Sequence, residues 1–271
     1  MPETWEEFAE VGRQVRAEHP EHHITNFSAT DPGWFAGLAQ QAGATWWETR
    51  SDAWAVSIDD EPTLRVAEYW GDLVEEDVVS GRPMYTPEWN AALNDGSLLT
   101  WPSAIWAPGV LAGNAADTAG DWSMAPLPQW EEGEQSTGSW GGSATAVATG
   151  TPHEEAAAEF AIWLNTSPEA TEALILRSGI YPAATEAREG TAMSEPPEFF
   201  AHQEDFYEQA AQIADGAAPV TWGPNVNIAY SSYQDAFAAA IADGSPFAAA
   251  IATMQADTLS DMENKGFSLT S

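Results

Sequence analysis

The fold turns on residues 138–182, GSWGGSATAVATGTPHEEAAAEFAIWLNTSPEATEALILRSGIYP. The stretch opens on a glycine-rich turn carrying one aromatic, Gly138-Ser139-Trp140-Gly141-Gly142, and continues as a strand-like run from Ser143 to Ala148. Thr151-Pro152-His153-Glu154 then predicts a helix start, with a capping threonine, a proline at the first helical position and a glutamate three residues after the cap. Ala157, Phe160, Ala161 and Leu164 recur at the spacing of one buried helical face. Ser167-Pro168 starts a second helix in the same way, and Gly179 ends it before Ile180-Tyr181-Pro182. The unit holds no catalytic group. Its turn is neither a G-x-S-x-G elbow nor a phosphate loop, since it lacks the Lys and Ser/Thr ending of the latter. What it offers is an indole beside bare backbone on a rigid scaffold, which is how a binding site is built.

The same alternation runs through the flanks. Thr4-Trp5-Glu6-Glu7 is a capping box, with Phe8, Val11 and Val15 on one face of the helix behind it. Ile24 to Phe27 reads as a short strand, Asp31-Pro32 caps a helix through Gln41 that Gly43 stops, and Trp54 to Ile58 reads as another strand. A helix is expected near residues 62–77, and a short one from Pro87 to Gly96. Leu98 to Trp101 and Trp122 to Ala125 read as strands, and helices are expected over about 198–215, 229–243 and 246–264. Short strands alternating with helices indicate an α/β fold.

Composition limits the function. Of 271 residues, 42 are acidic and 8 basic, a formal net charge of −34. Nucleic acid and anionic membrane both require basic surface, so neither is expected as a partner. The acidity itself reads as solubility, in keeping with salt that screens self-repulsion. Without cysteine, the chain has no disulfide, thiolate or Cys-based zinc site. No apolar run approaches the about 20 residues needed to span a bilayer, and no basic-then-apolar signal segment opens the chain.

Fourteen tryptophans are the main chemical asset. A flat indole covers the C–H face of a sugar ring while polar groups bind its hydroxyl rim. Trp34, Trp101, Trp106, Trp140 and Trp222 stand near turns or element ends, where binding residues lie. Each is also open to the alternative of simple core packing, and Trp5, Trp70 and Trp163, on helices, read as core. Trp140 is favoured as a contact because Gly141 and Gly142 let a ligand approach backbone N–H groups. Asp31, Asn114, Asn225 and Asn227 are candidate polar partners; for Asp31 the helix-cap reading is the favoured one, and Asn225, after Gly223-Pro224, reads also as a turn residue. His19 and His23 have the four-residue spacing of a helical metal pair, but Pro20 breaks that helix, so no metal and no cofactor are expected.

The order of these pieces resembles the extracellular solute-binding proteins of bacterial carbohydrate ABC importers (family 1, maltose-binding-protein-like). Pro2-Glu3-Thr4-Trp5-Glu6-Glu7-Phe8 is similar to the family's P-x-T-W-x-E-F helix start. Asn94-Asp95-Gly96 with Leu98 to Trp101 and Trp106 resembles its G-x-x-x-M segment and following tryptophan, and Pro126-Leu127-Pro128 its P-x-P crossing. Trp140-Gly141-Gly142 resembles its double-glycine binding loop, Ala156 to Leu164 its A-A-x-x-F-x-x-W-L helix, and Trp222-Gly223-Pro224-Asn225 a late binding segment. The resemblance implies a periplasmic-binding-protein-like fold, two α/β lobes joined by a hinge. It assigns residues 1–125 and 184–271 to lobe 2 and residues 126–183 to lobe 1. In the family the helix start lies well inside the chain, so the first lobe is expected to be incomplete here, with an unpaired sheet edge and exposed apolar surface. The resemblance implies a ligand-binding set of Trp34, Trp101, Trp106, Trp140, Gly141, Gly142, Trp222 and Asn225, a neutral sugar or oligosaccharide as ligand, and membrane permease subunits as partner. It also implies a monomer, an extracellular or periplasmic parent with a membrane anchor, and capture by hinge closure without chemistry. The enzyme alternative is a glycoside hydrolase fragment using two carboxylates across an aromatic cleft; a third is a truncated remnant that binds nothing.

Overall fold

The computed structural model describes residues 1–270. The first elements are α1 (Trp5–Glu18), β1 (Thr25–Asn26), α2 (Pro32–Gln41), β2 (Trp47–Arg50), β3 (Ala53–Val56), α3 (Glu61–Glu75), β4 (Val79–Ser80) and α4 (Pro87–Asp95). There follow α5 (Ala107–Asn114), α6 (Glu154–Thr166), α7 (Pro168–Ser178), the single turn α8 (Thr185–Arg188), α9 (Phe206–Asp215), α10 (Val226–Asp243) and α11 (Phe247–Asn264). Two compact units result, one of Met1–Pro102, Leu127–Trp140 and Ile213–Ser271, the other of Ser103–Pro126 and Gly141–Gln212. The unit boundaries fall at 102/103, 126/127, 140/141 and 212/213.

Unit one is a helical layer on short strands. β1 pairs in parallel with β4, and β2 pairs antiparallel with β3. Helix starts follow the side-chain caps expected of them: Thr4 accepts from the Glu7 N–H, Asp31 from Trp34, Asp60 from Thr63 and Thr86 from Trp89. Gly96 ends α4 at φ 74°. The buried face of α1 is Trp5, Phe8, Ala9 and Gly12. Val11 is exposed, contrary to the expected Phe8-Val11-Val15 face, because the close contact falls on Gly12, where a Cβ would lie 2.6 Å from Val78 Cγ1.

The core is aromatic. Trp70 lies 5.6 Å from Trp5 and 5.1 Å from Trp34; Phe27 lies 4.8 Å from Phe247; Tyr233 lies 4.3 Å from Phe237. Such ring pairs contribute about 0.5–1.5 kcal/mol each beyond the area they bury. α10 and α11 pack on each other, α11 on α3, and α2 on both α3 and α10. The segment expected as a strand at 98–101 runs beside β1 but makes one isolated bridge, His23 to Leu98.

Unit two has a smaller core. Phe199, Phe200 and Phe206 stack in sequence at 5.5 and 5.3 Å, with Leu111 and Ile175 also buried in the unit. Residues 122–125, expected as a strand, form no ladder: the Gln203 side-chain amide closes both backbone groups of Met124, at 2.8 Å each, and so occupies the place of a strand partner. The run Ser143–Ala148, expected as a strand, forms no ladder and is largely exposed. α6 starts at Glu154, with His153 at the N-cap position and no side-chain cap, rather than at Pro152 behind a capping Thr151. No residue of α6 is buried: Phe160, Ile162 and Trp163 are 56, 65 and 46% exposed. The reading of Trp163 as core is thereby corrected, since among the described residues only α7 packs closely on this helix. Among the described residues no helix is long and apolar enough to cross a membrane.

Candidate functional site

The site begins at α2. Asp31 caps this helix by accepting the Trp34 N–H at 3.1 Å, and the same Oδ1 accepts the Trp140 indole N–H at 3.1 Å. One carboxylate oxygen therefore ends a helix and aims an indole. Burial raises the Asp31 pKa above the ordinary value, opposed by hydrogen bonds from Trp34, Trp140 and Gly33. The cap reading of Asp31 holds, and the same oxygen also orients Trp140.

The loop carrying Trp140 is held from below by the same helix. The Gln40 side chain accepts the Ser139 N–H at 2.9 Å, and the Ser136 hydroxyl donates to the Gln41 carbonyl at 3.1 Å. Gly138 crosses Gly37 so closely that a Cβ on Gly138 would lie 1.9 Å from the Gly37 carbonyl oxygen. This approach is why residue 138 must be glycine.

Trp101 stands edge-on to Trp140, ring centroids 6.0 Å apart at 87°, and against Trp89 at 5.0 Å. Its indole N–H points to the Met84 sulfur at 3.4 Å. Tyr85, for which the sequence held no signal, is 47% exposed beside Trp101, ring to ring 6.3 Å. Trp222 is 42% exposed in unit one and packs on Trp47 and Tyr230 at 6.4 and 6.1 Å. The Tyr230 hydroxyl, also unforeseen, is pushed up to about 12 by burial and, after it, the Asp31 charge, so it stays a neutral donor. Gly223 lies flat on Trp47, where a Cβ would fall 2.1 Å from the indole nitrogen.

Two expected contacts are corrected. Trp34 is buried, its indole N–H bonded to the Pro102 carbonyl at 3.0 Å and its ring against Phe27 and Trp70. It supports the site from the core. Asn225 is buried, and its amide donates to the Thr258 carbonyl at 2.9 Å and to Asp261 at 3.0 Å. It ties the start of α10 to α11.

In unit two, Gly141 takes φ 91°, and a Cβ there would come within 3.2 Å of the Trp106 indole nitrogen. Gly142 takes φ 101° and borders open space. Positive φ at consecutive residues leaves this backbone bare beside the half-buried Trp106. The histidine cluster serves other ends, with His23 Nε2 3.0 Å from Asp77 and His22 3.2 Å from Glu21.

The chain belongs to the bacterial extracellular solute-binding protein family, which it matches over residues 1–201. An arabinooligosaccharide-binding protein of Halalkalibacterium halodurans is 26% identical over 218 residues, 79% of this chain and 48% of that protein. Among solved structures, an ABC-transporter-associated binding protein from B. animalis subsp. lactis, in complex with β-1,6-galactobiose, shares 20% identity at a TM-score of 0.86. That likeness covers 99% of this chain and 68% of the other. The galacto-N-biose-/lacto-N-biose I-binding protein of Bifidobacterium longum, in complex with lacto-N-biose, gives 24% and 0.86, covering 99% of this chain and 65% of that one. At these identities the structures show the fold, that of sugar-binding periplasmic-type proteins. The chain spans about half the length of the curated relatives it matches. The family and these neighbours are binding proteins, not enzymes, so the glycosidase alternative is set aside.

Proposed function

We propose that the chain serves the capture of a neutral sugar or oligosaccharide for an ABC importer, by binding alone. The observation that carries this reading is the Trp101–Trp140 pair, with Trp140 fixed by the half-buried Asp31 carboxylate and followed in the chain by the bare backbone of Gly141 and Gly142. Indole faces suit sugar C–H groups, and the free hydroxyl rim suits backbone donors. A neutral ligand is favoured because only 8 of 271 residues are basic. In this reading Trp101, Trp106, Trp140, Gly141, Gly142 and Trp222 meet the ligand, while Trp34 and Asn225 hold the scaffold. A ligand bound more tightly in a closed state shifts the hinge equilibrium toward it, and permease subunits at the membrane receive the closed form. The lobes are those assigned above, 1–125 with 184–271, and 126–183. In this reading the protein is extracellular or periplasmic and membrane-anchored, and acts as a monomer.

The test is tryptophan fluorescence with thermal shift against neutral sugars, including arabino-oligosaccharides, β-1,6-galactobiose and lacto-N-biose. A saturable change with a raised Tm for one class is expected. A cooperatively folded sample that answers none of them refutes the reading.

A further inference from the structure

We infer that Tyr85 is a ligand-contacting residue of this site, held in a strained backbone so that its ring stands exposed against the buried Trp101, on which the half-buried Trp140 also packs. The inference rests on the sugar-capture reading above. Three non-glycine residues among those described take positive φ: Ser51, Asp77 and Tyr85. Ser and Asp are short polar residues that sit in turns, and Asp tolerates the left-handed region well. A bulky aromatic at φ 63° is an outlier that persists only where its surroundings leave no alternative.

Those surroundings are on both sides of it. Met84 is buried, its N–H bonded to the Ser28 hydroxyl at 3.2 Å and its sulfur to the Trp101 indole. Thr86 caps α4 through the Trp89 N–H and donates its hydroxyl to the Pro83 carbonyl, 3.2 Å each. Trp89 is fastened in turn to β1 by its indole bond to Asn26 at 3.0 Å. A glycine would occupy residue 85 without strain. The chain places there a ring that lies 5.3 Å from Trp89 and 6.3 Å from Trp101, with nearly half its surface free. Core packing does not explain a half-exposed ring in a costly conformation, and a ligand surface does. Tyr85, Trp101 and Trp140 form a run of rings, each edge-on to the next, at 6.3 and 6.0 Å. Burial, and less strongly the Asp31 charge, raise the Tyr85 pKa, so the phenol stays neutral and can both donate to and accept from a sugar hydroxyl.

The experiment compares the wild-type chain with Tyr85→Gly, Tyr85→Ala and Tyr85→Phe, by calorimetric titration with the sugar selected in the screen and by thermal melting. Glycine and alanine both delete the ring, but only alanine keeps the strain. The glycine variant is therefore expected to melt about 2–5 °C above the alanine variant. Both are expected to bind at least tenfold more weakly than wild type, with phenylalanine between them and wild type. Wild-type affinity in the glycine variant overturns the assignment of Tyr85 alone. Glycine melting at or below alanine overturns the strain argument. If the wild-type chain itself answers no sugar, the capture reading falls, and this one with it.

Discussion

Trp70 and Trp163 both lie on helices whose apolar residues recur at helical spacing, yet they end in opposite surroundings. Trp70 is enclosed, with Trp5, Phe8, Phe27, Trp34 and Tyr69 all within 6.5 Å ring to ring. Trp163 is nearly half exposed, on a helix that buries nothing. The same contrast separates the two units: α3 and α11 have apolar faces met by other helices, whereas Phe160, Ile162, Trp163 and Leu176 of α6 and α7 face outward. Periodicity tells which face a helix offers and is silent on whether anything covers it.

The sharpest break of this contrast is a pair of truncations. Trp70→Ala is expected to cost about 3–5 kcal/mol, as for a fully buried tryptophan, and Trp163→Ala well under about 1 kcal/mol, as for a surface change. Denaturant unfolding decides it, and similar losses for the two would abolish the distinction between the units. The glycines of residues 138–142 give a second pair. Gly138→Ala drives a Cβ into the Gly37 carbonyl and is expected to cost about 3 kcal/mol. Gly142→Ala meets open space and pays only for its positive φ, about 1 kcal/mol. Equal costs would show that α2 does not grip the loop as described.

Local signals in the sequence were strong where one residue does one job. Thr4, Asp31 and Thr86 announce their helices because a side-chain oxygen before an apolar repeat has few other uses, and Gly96 and Gly179 take the left-handed conformation that ends a helix. The tight loop at 138–142 was legible for a similar reason, since clustered glycines mark backbone that takes positive φ or passes close against another segment. Other features depend on partners distant in sequence. Met124 is closed by Gln203, 79 positions away, and so forms no strand. Asn225 looks like a ligand group until α11 supplies Thr258 and Asp261. Tyr85 and Tyr230 carry no motif, because their surroundings come from the anchoring of Met84 and Thr86 on either side of the one and from the packing of Trp222 on the other. Gly223 shows a different limit: it reads as part of a turn, and only the indole of Trp47 above it explains why a side chain is forbidden.

Hydrogen exchange sharpens the comparison at smaller amplitude. Backbone amides of α3 and α11 are expected to open only with global unfolding, and those of α6 and α7 about tenfold faster or more, since few buried contacts protect them. Uniform protection across both units would mean that the exposed face of α6 costs the fold nothing.

The smallest effect concerns charge inside the enclosed unit. The Asp31 pKa is raised in the folded chain, so the folded state takes up this proton at higher pH than the unfolded chain does. The stability linked to this group is then fully present below the ordinary value of 3.8 and declines as pH rises through the raised one. At neutral pH the ionised carboxylate is retained because the Trp34 and Trp140 donors hold it. Acidification should therefore change the Trp140 indole first, seen as the fluorescence difference between wild type and Trp140→Phe, with a midpoint above 3.8. Asp31→Asn should remove that transition while leaving the acid response of exposed Glu76 and Asp77, whose pKa values lie below the ordinary range because Arg13 and His23 respectively bond them. A midpoint at or under the ordinary value would mean that Asp31 is solvated and that Trp140 is not held from inside the unit.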